Sequence, residues 1–454
     1  MSAGHLQEIE EHIRAKNQPL TEDAAALEFA RLHGDSLRYC HDRGSWLRWD
    51  GSIWRLERTG LAFHFARELA RDLSRTEGVK GLVVAAKVAF ASGVERFARS
   101  DPVFARTADS WDRDPMLAGC PDGMLDLQTG LVERACPEKG ITKSLAVTPA
   151  DGADCPRWLA FLGETFDGDA DLIRFMQQFF GYGLTGDISE HALVFGYGSG
   201  RNGKSVLLNT ITGILGDYAS TAAMDTFTAS RGDKHPTDLA MLRGARFVTA
   251  SETEEGKAWA ESRIKQLTGG DTISARFMRQ DFFQFQPTFK LFIVGNHRPA
   301  LHNVDEAARR RFNIVPFDFK PKKPDPDLQD KLTREWPGIL RWMIEGCLDW
   351  QANRLVRPGV VRQATENYFT DQDSFGQWLE EDCDVEVGNT HKWETSATLW
   401  AKWKSYAERS GETAGNRKTF AEAMRLRGFE DHRGSGGARL FRGLQFRLRP
   451  TDDR

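Results

Sequence analysis

Residues 191–215 read His191-Ala-Leu-Val-Phe195-Gly-Tyr-Gly198-Ser199-Gly200-Arg201-Asn202-Gly203-Lys204-Ser205-Val-Leu-Leu-Asn-Thr-Ile-Thr-Gly-Ile-Leu215. The apolar run His191–Phe195 predicts a buried strand, and the apolar spacing after Ser205 predicts an amphipathic helix. Between them stands G-x-x-x-x-G-K-S, the phosphate-loop pattern. Its glycines let backbone N–H groups curl around phosphate oxygens, and the helix N-terminus adds a favourable dipole. Gly198, Ser199, Gly200, Arg201, Asn202 and Gly203 would form the cradle. Lys204 would set its ammonium against the β and γ phosphates of ATP, and the Ser205 hydroxyl would ligate Mg²⁺. The same stretch matches the dinucleotide pattern G-x-G-x-x-G. With 42 Gly in 454 residues, chance gives about 0.4 matches to that pattern and roughly 0.02 to the lysine-bearing one. Only the second match is informative.

Strand candidates at 193–197, 246–250 and 290–295 alternate with helical stretches, so an α/β core is expected to about residue 320. Hydrolysis needs an acid at a nearby strand end to hold the metal and polarise water. Arg246-Phe-Val-Thr-Ala-Ser251-Glu252-Thr-Glu254-Glu255 offers Glu252 first and Glu254 second. Lys290-Leu-Phe-Ile-Val294 runs into Gly295-Asn296-His297-Arg298-Pro299. Asn296 fits a water-orienting role there; His297 could act as a base, though a loop histidine is more often inert. Arg309-Arg310-Arg311 precedes a further strand at 312–317 and is suited to reach a neighbouring subunit's γ-phosphate.

The remaining composition is that of an ordinary globular chain, 40% hydrophobic and 28% charged, which excludes wholesale disorder. No apolar run approaches the ~18 residues of a membrane helix. The polar, acidic start is no secretory signal, and the six cysteines form no C-x-x-C. A reducing cytoplasm is therefore expected, without membrane contact or structural zinc. The net charge of −4 means that nucleic-acid contacts must come from local patches.

Residues 1–105 read as helical, with an aromatic two-residue hairpin turning at Asp50-Gly51 between Trp49 and Trp54. Residues 106–185 hold a Gly/Asp/Pro-rich stretch and then helices. There Leu172, Ile173, Met176, Phe179 and Phe180 form a stripe expected in a core or subunit contact. The α/β core takes 186–325 and a helical connector 326–364. Residues 365–390 carry eight acids and no Lys or Arg, whereas 391–449 carry thirteen Lys/Arg against six Asp/Glu. The tail, 365–454, reads as a winged helix. A helix at 398–410 is followed by one capped by Asn416 or Thr419, and Arg433-Gly-Ser-Gly-Gly-Ala-Arg439 forms the wing. Arg417, Lys418, Arg433 and Arg439 would face duplex DNA such as an origin.

The order of the phosphate loop, the Ser-Glu-Thr-Glu strand end, Leu267-Thr-Gly-Gly-Asp271, Gly295-Asn296-His297 and Arg310-Arg311 resembles the superfamily 3 helicases. Within them it is most similar to the phage and poxvirus primase–helicases. Cys120–Gly130 and Phe179–Gly186 resemble the segment that precedes the ATPase in that family. The resemblance implies an AAA+-like ring, hexameric, with ATP between subunits. It carries Lys204, Ser205, Glu252, Asn296 and Arg310 into ATPase roles, with Arg311 as the alternative finger. It also implies that the hairpin around Arg276 and Arg279, with Lys265 nearby, grips single-stranded DNA. The D-x-D at Asp112-Arg-Asp114 lies in a Pro-flanked turn and does not suit a primase metal site. The expected function is a replicative DNA helicase of a phage or mobile element in a bacterial host, with any primase or polymerase separate. The rivals are a DNA-binding ATPase that only switches assembly, a primase, and a dinucleotide oxidoreductase.

Overall fold

The computed structural model describes residues 21–76, 87–229, 237–252, 258–278, 281–301, 306–320, 324–410, 414–434 and 437–447. Helix α1 (Glu22–His33) starts at Thr21, whose hydroxyl accepts from the Ala24 amide. Strands β1 (Leu37–Cys40), β2 (Ser45–Trp49) and β3 (Trp54–Leu56) follow, then α2 (Leu61–Thr76), α3 (Val88–Ser100) and β4 (Ala105–Arg106). The strands form one sheet in the order β3-β2-β1-β4. Trp49 pairs with Trp54 across the expected hairpin, but its loop spans four residues, not two. Asp50 explains the difference: its carboxylate accepts the amides of Ser52 and Ile53, building a turn that uses both. Tyr39 and Trp46 are buried against Phe29 and Phe104, so these rings are core.

Next comes a meander of β5 (Leu117–Cys120), β6 (Gly123–Asp126) and β7 (Leu131–Glu133), where only a Gly/Asp/Pro-rich stretch was legible. Asp112 accepts from the Thr142 amide and hydroxyl, and Asp114 from the Met116 amide, so this D-x-D serves turns. Helices α4 (Pro156–Thr165) and α5 (Ala170–Leu184) follow.

The centre is a five-stranded, all-parallel sheet. It contains β8 (Leu193–Tyr197), α6 (Lys204–Leu215), β9 (Ala219–Thr221), β10 (Phe247–Glu252), α7 (Glu261–Gly269), β11 (Ile273–Ala275), β12 (Phe283–Phe285), β13 (Lys290–Gly295), α8 (Glu306–Arg311) and β14 (Phe312–Pro316). Strand order is β14-β8-β13-β10-β9, with β11–β12 a separate hairpin. Both faces are buried, as near-continuous apolar strands require. Val194, Phe247, Phe292 and Val315 face α5, α6 and α9 (Trp336–Asn353). Phe195, Val248, Ile293 and Ile314 face α7 and α10 (Gly359–Gln372). The stripe on α5 is core against α9, and the helices meet so closely that a Cβ at Gly181 would stand 2.2 Å from the Cys347 amide nitrogen.

The boundary expected at 364/365 falls inside α10, which is continuous to Gln372. The tail comprises α11 (Ser374–Asp382), β15 (Cys383–Val385), β16 (Trp393–Thr395), α12 (Ser396–Arg409), α13 (Arg417–Leu426), β17 (Glu430–Arg433), β18 (Arg439–Arg442) and β19 (Leu444–Phe446). Its separate core gathers Trp378, Leu399, Trp403, Phe420, Met424 and Phe441. Among the described residues, no helix is long and apolar enough to cross a membrane.

Candidate active site

The loop from Gly198 to Gly203 joins β8 to α6, the connection in which a parallel strand hands its chain to a helix N-terminus. Arg201 and Gly203 both take positive φ, +66° and +85°, which turns the chain sharply enough for α6 to begin at Lys204. A Cβ on Gly203 would meet the Phe161 ring at 3.0 Å and the Thr165 hydroxyl at 3.1 Å, so α4 presses on the loop from behind. Asn202 is buried and donates to the Phe317 carbonyl, locking the loop to the end of β14. Lys204 is 7% exposed. Its ammonium donates to the Gly198 carbonyl and to Asn202 Oδ1 at 3.0 Å, and burial holds its pKa below the ordinary lysine value. Among the described residues, no protein atom accepts from the backbone N–H groups of Ser199, Gly200, Arg201, Asn202 or Gly203. A row of free amides beside a desolvated ammonium fits a polyphosphate. Ser205 is exposed on the first turn of α6, where a hydroxyl can join phosphate oxygens and water around Mg²⁺.

Register brings the other carboxyl-edge residues alongside. Tyr197 pairs with Gly295, and Gly295 pairs with Glu252. The Gly198 amide donates to the Gly295 carbonyl at 3.3 Å. At ~4.8 Å per strand, the Glu252 backbone lies about 10 Å from the root of the loop, within reach of a glutamate and a metal-bound phosphate. The structure describes the backbone of Glu252 only, and Glu254 lies outside the described residues. Asn296 follows Gly295 directly and is exposed at this edge. Arg298, not singled out in the sequence, stacks its guanidinium 4.3 Å from the Tyr197 ring centroid and reaches Asp371 at 3.4 Å. No spacing rule would have found it, because its neighbours come from two other elements.

The arginines lie elsewhere. Phe312 pairs with Leu193 at the start of β8, so Arg310 and Arg311 sit at the amino edge, a strand's length from their own loop. Arg309 is tied to Glu366 at 2.6 Å, and Arg311 to the Thr268 hydroxyl and the Ala307 carbonyl. Arg310 is 75% exposed, with Glu306 on its own helix as its ion-pair partner.

Hairpin β11–β12 also projects from the amino edge, with Ala275 opposite Phe283. Arg276 is exposed over the Phe282 ring, and Met278 near the tip is 78% exposed. Lys265 is half-buried on α7, and Arg279 lies outside the described residues. In the tail, Asn416 caps α13 with Thr419 in a reciprocal pair, leaving Arg417 and Lys418 exposed on its first turn. Arg433 and Arg439 stand directly opposite across the β17–β18 hairpin, a like-charge pairing that an anion would relieve.

Two family profiles match. "D5 N terminal like" covers residues 26–167, and a "family of unknown function (DUF5906)" covers residues 196–311. Acanthamoeba polyphaga mimivirus has a similar protein, "Putative helicase L207/L206", 26% identical over 318 residues, 64% of this chain and 32% of that protein. "Putative helicase 022R" of Frog virus 3 is 25% identical over 272 residues, 54% of this chain and 28% of that protein. The chain thus spans about a third of the length of these relatives. Among solved structures, the apo NrS-1 C-terminal region is similar with a TM-score of 0.46 and 10% identity, covering 89% of this chain and 95% of that one. With a match to the D5-type profile ahead of the central parallel sheet, and similar proteins named helicases or primases in viruses, the chain is similar to the phage and viral superfamily 3 primase–helicases.

Proposed function

We propose that this chain is an ATP-driven DNA helicase of replication, built on an AAA+-like P-loop core and carrying a winged-helix tail. The observation that carries this reading is the common row formed by the loop root, Gly295–Asn296 and Glu252 beside the desolvated Lys204 ammonium. In this reading Gly198–Gly203 wrap the phosphates and Lys204 neutralises the β and γ oxygens. Ser205 and Glu252 hold Mg²⁺, which would offset charge between the β and γ phosphates when bound. Asn296 orients the attacking water, with Glu252 as its base and Glu254 in reserve.

The amino-edge position of Arg310 supports a site completed by a second copy. An arginine too far from its own loop can serve a neighbour's, and the most exposed of the three suits that role. A closed ring, six-membered by analogy with the family, satisfies this head-to-tail contact. The hairpin with Arg276 and Arg279 grips single-stranded DNA in this scheme. The tail supports duplex contact through Arg417, Lys418, Arg433 and Arg439, in the helix-and-wing arrangement suited to a groove and its phosphates.

Strand displacement with ATP tests the proposal. The wild-type chain should unwind a tailed duplex and release phosphate, and Lys204→Ala should do neither. Unwinding by Lys204→Ala at the wild-type rate would overturn it. Phosphate release without displacement of any tailed substrate would leave an ATPase that switches assembly.

A further inference from the structure

A cleft of about 2350 Å³ opens at the amino edge of the central sheet, on the opposite side from the phosphate loop. The regions that wall it lie far apart in sequence and include the β1–β2 turn at Arg43, the segment 240–246 ahead of β10, and the hairpin with Phe277 and Phe282. Its volume is well beyond the ~300–1,000 Å³ of a small-molecule site, so a polymer suits it better.

Acids and bases line the cleft in similar numbers, but their states differ. The carboxylates are occupied by the fold. Asp42 accepts the Ala108 amide, Asp112 accepts from Thr142, Asp187 accepts the Ser189 amide, and Asp217 accepts from Arg55 and the Ser144 amide. Asp281, exposed by the hairpin, is the exception. Among the described residues, Arg43, Arg58, Arg113 and Arg243 make no ion pair. Arg43 and Arg243 also lie close enough to repel. The Arg243 guanidinium is pushed below its ordinary pKa first by burial and then by Arg43, against a smaller opposite pull from Cys40 and Asp42; Lys143 is pushed down first by burial, with Arg43 acting the same way and Asp112 and Asp217 opposing. Arg243 lies over the Phe283 ring, 4.9 Å from its centroid, and Phe283 stacks on Phe277 at 5.5 Å. Phe282, 60% exposed, stands beside them. Cations without an ion-pair partner beside an exposed ring, Phe282 with Arg276 over one face, are the ingredients of a single-strand site, where phosphates meet guanidinium groups and a base meets a free ring face.

We infer that this cleft holds single-stranded DNA, with Arg43 and Arg243 on successive phosphates and Phe282 against a base. The segment around β1–β4 is thereby a DNA-binding wall that continues the hairpin's track. The inference rests on the helicase reading, and adds to it a role for the N-terminal segment.

Fluorescence anisotropy of labelled oligo-dT tests it, with the full chain and a salt titration. Arg43→Ala/Arg243→Ala should bind roughly tenfold more weakly at physiological salt. The slope of log K against log salt should fall by about 1.4, the contribution of two single-strand phosphate contacts. Phe282→Ala should weaken binding and leave that slope unchanged. ATP hydrolysis without DNA should stay at the wild-type level in all variants, which also reports on folding. Wild-type affinity and slope in Arg43→Ala/Arg243→Ala would overturn the cleft assignment and leave the helicase reading standing. A wild-type chain that binds no oligo-dT at low salt would remove both. Tighter binding of oligo-U than of oligo-dT would overturn the choice of DNA.

Discussion

The two edges of the central sheet are built differently. At the carboxyl edge, β8, β13 and β10 end level, and one chain brings the loop, Asn296 and the Glu252 backbone into a single row. At the amino edge lie Arg310, Arg311 and the hairpin, each a strand's length from that row. A parallel sheet separates the ends of its strands by its own height, ~13 Å for five residues. Groups on opposite edges of one subunit therefore cannot share a phosphate. In the proposed reading the carboxyl edge would bind and activate nucleotide by itself, and the amino edge would act only against another molecule, a second copy or DNA.

The largest test of this contrast is Lys204→Ala. Phosphate release should be abolished, because removing the loop's preorganised cation takes away both phosphate binding and its share of charge stabilisation. Next comes the arginine. Arg310→Ala should lose roughly 10³-fold in ATP turnover, while Arg311→Ala, whose side chain already serves Thr268 and Ala307, should lose less. Mixing Arg310→Ala with Lys204→Ala subunits should restore part of the activity, because each supplies what the other lacks. A mixture that stays inactive would mean that the two edges do not meet between copies. Smaller again is Asn296→Ala, expected to slow turnover by about 10–100-fold with little change in KM. Gly203→Ala probes the loop's backbone. Positive φ and the Phe161 contact should cost about 1–2 kcal/mol, read as an earlier onset of thermal unfolding.

The smallest effect concerns the scaffold under both edges. Arg174 on α5 forks onto Asp349 of α9 at 2.8 Å, and holds that carboxyl down to about 2. A folded-state pKa below the unfolded value of ~3.9 contributes stability above that value, and the contribution is lost as pH falls towards 2. Asp349→Asn should cost about 1 kcal/mol near neutrality, since the Arg174 partner is half exposed. The difference from wild type should shrink in acid melts between pH 4 and pH 2.

Local chemistry made much of this legible. The strands at 193–197 and 290–295 have the expected bounds because apolar runs between glycine-rich loops leave little choice of period. The helix after the phosphate loop, the Asn416 cap and the Arg433–Arg439 hairpin were also readable, since each depends on residues within a few positions. The β5–β7 meander was not, because its strands are three or four residues long and rich in glycine and aspartate. Nor was the run of α10 through the 364/365 boundary, where a charge pattern stood in for a structural one. Arg298 and the Arg43–Arg243 pair escaped because each is defined by neighbours more than sixty positions away.

Sequence alone determined the glycine loop at 198–203 and the alternation of strand and helix around it, because a glycine turn, a buried strand and a helix start are decided by short-range sterics and periodicity. Only the tertiary structure decided which strand ends lie level, which cations remain unpaired, and on which edge each arginine stands. Those depend on strand order and on which carboxylates the fold has already engaged, and neither quantity is local in the chain.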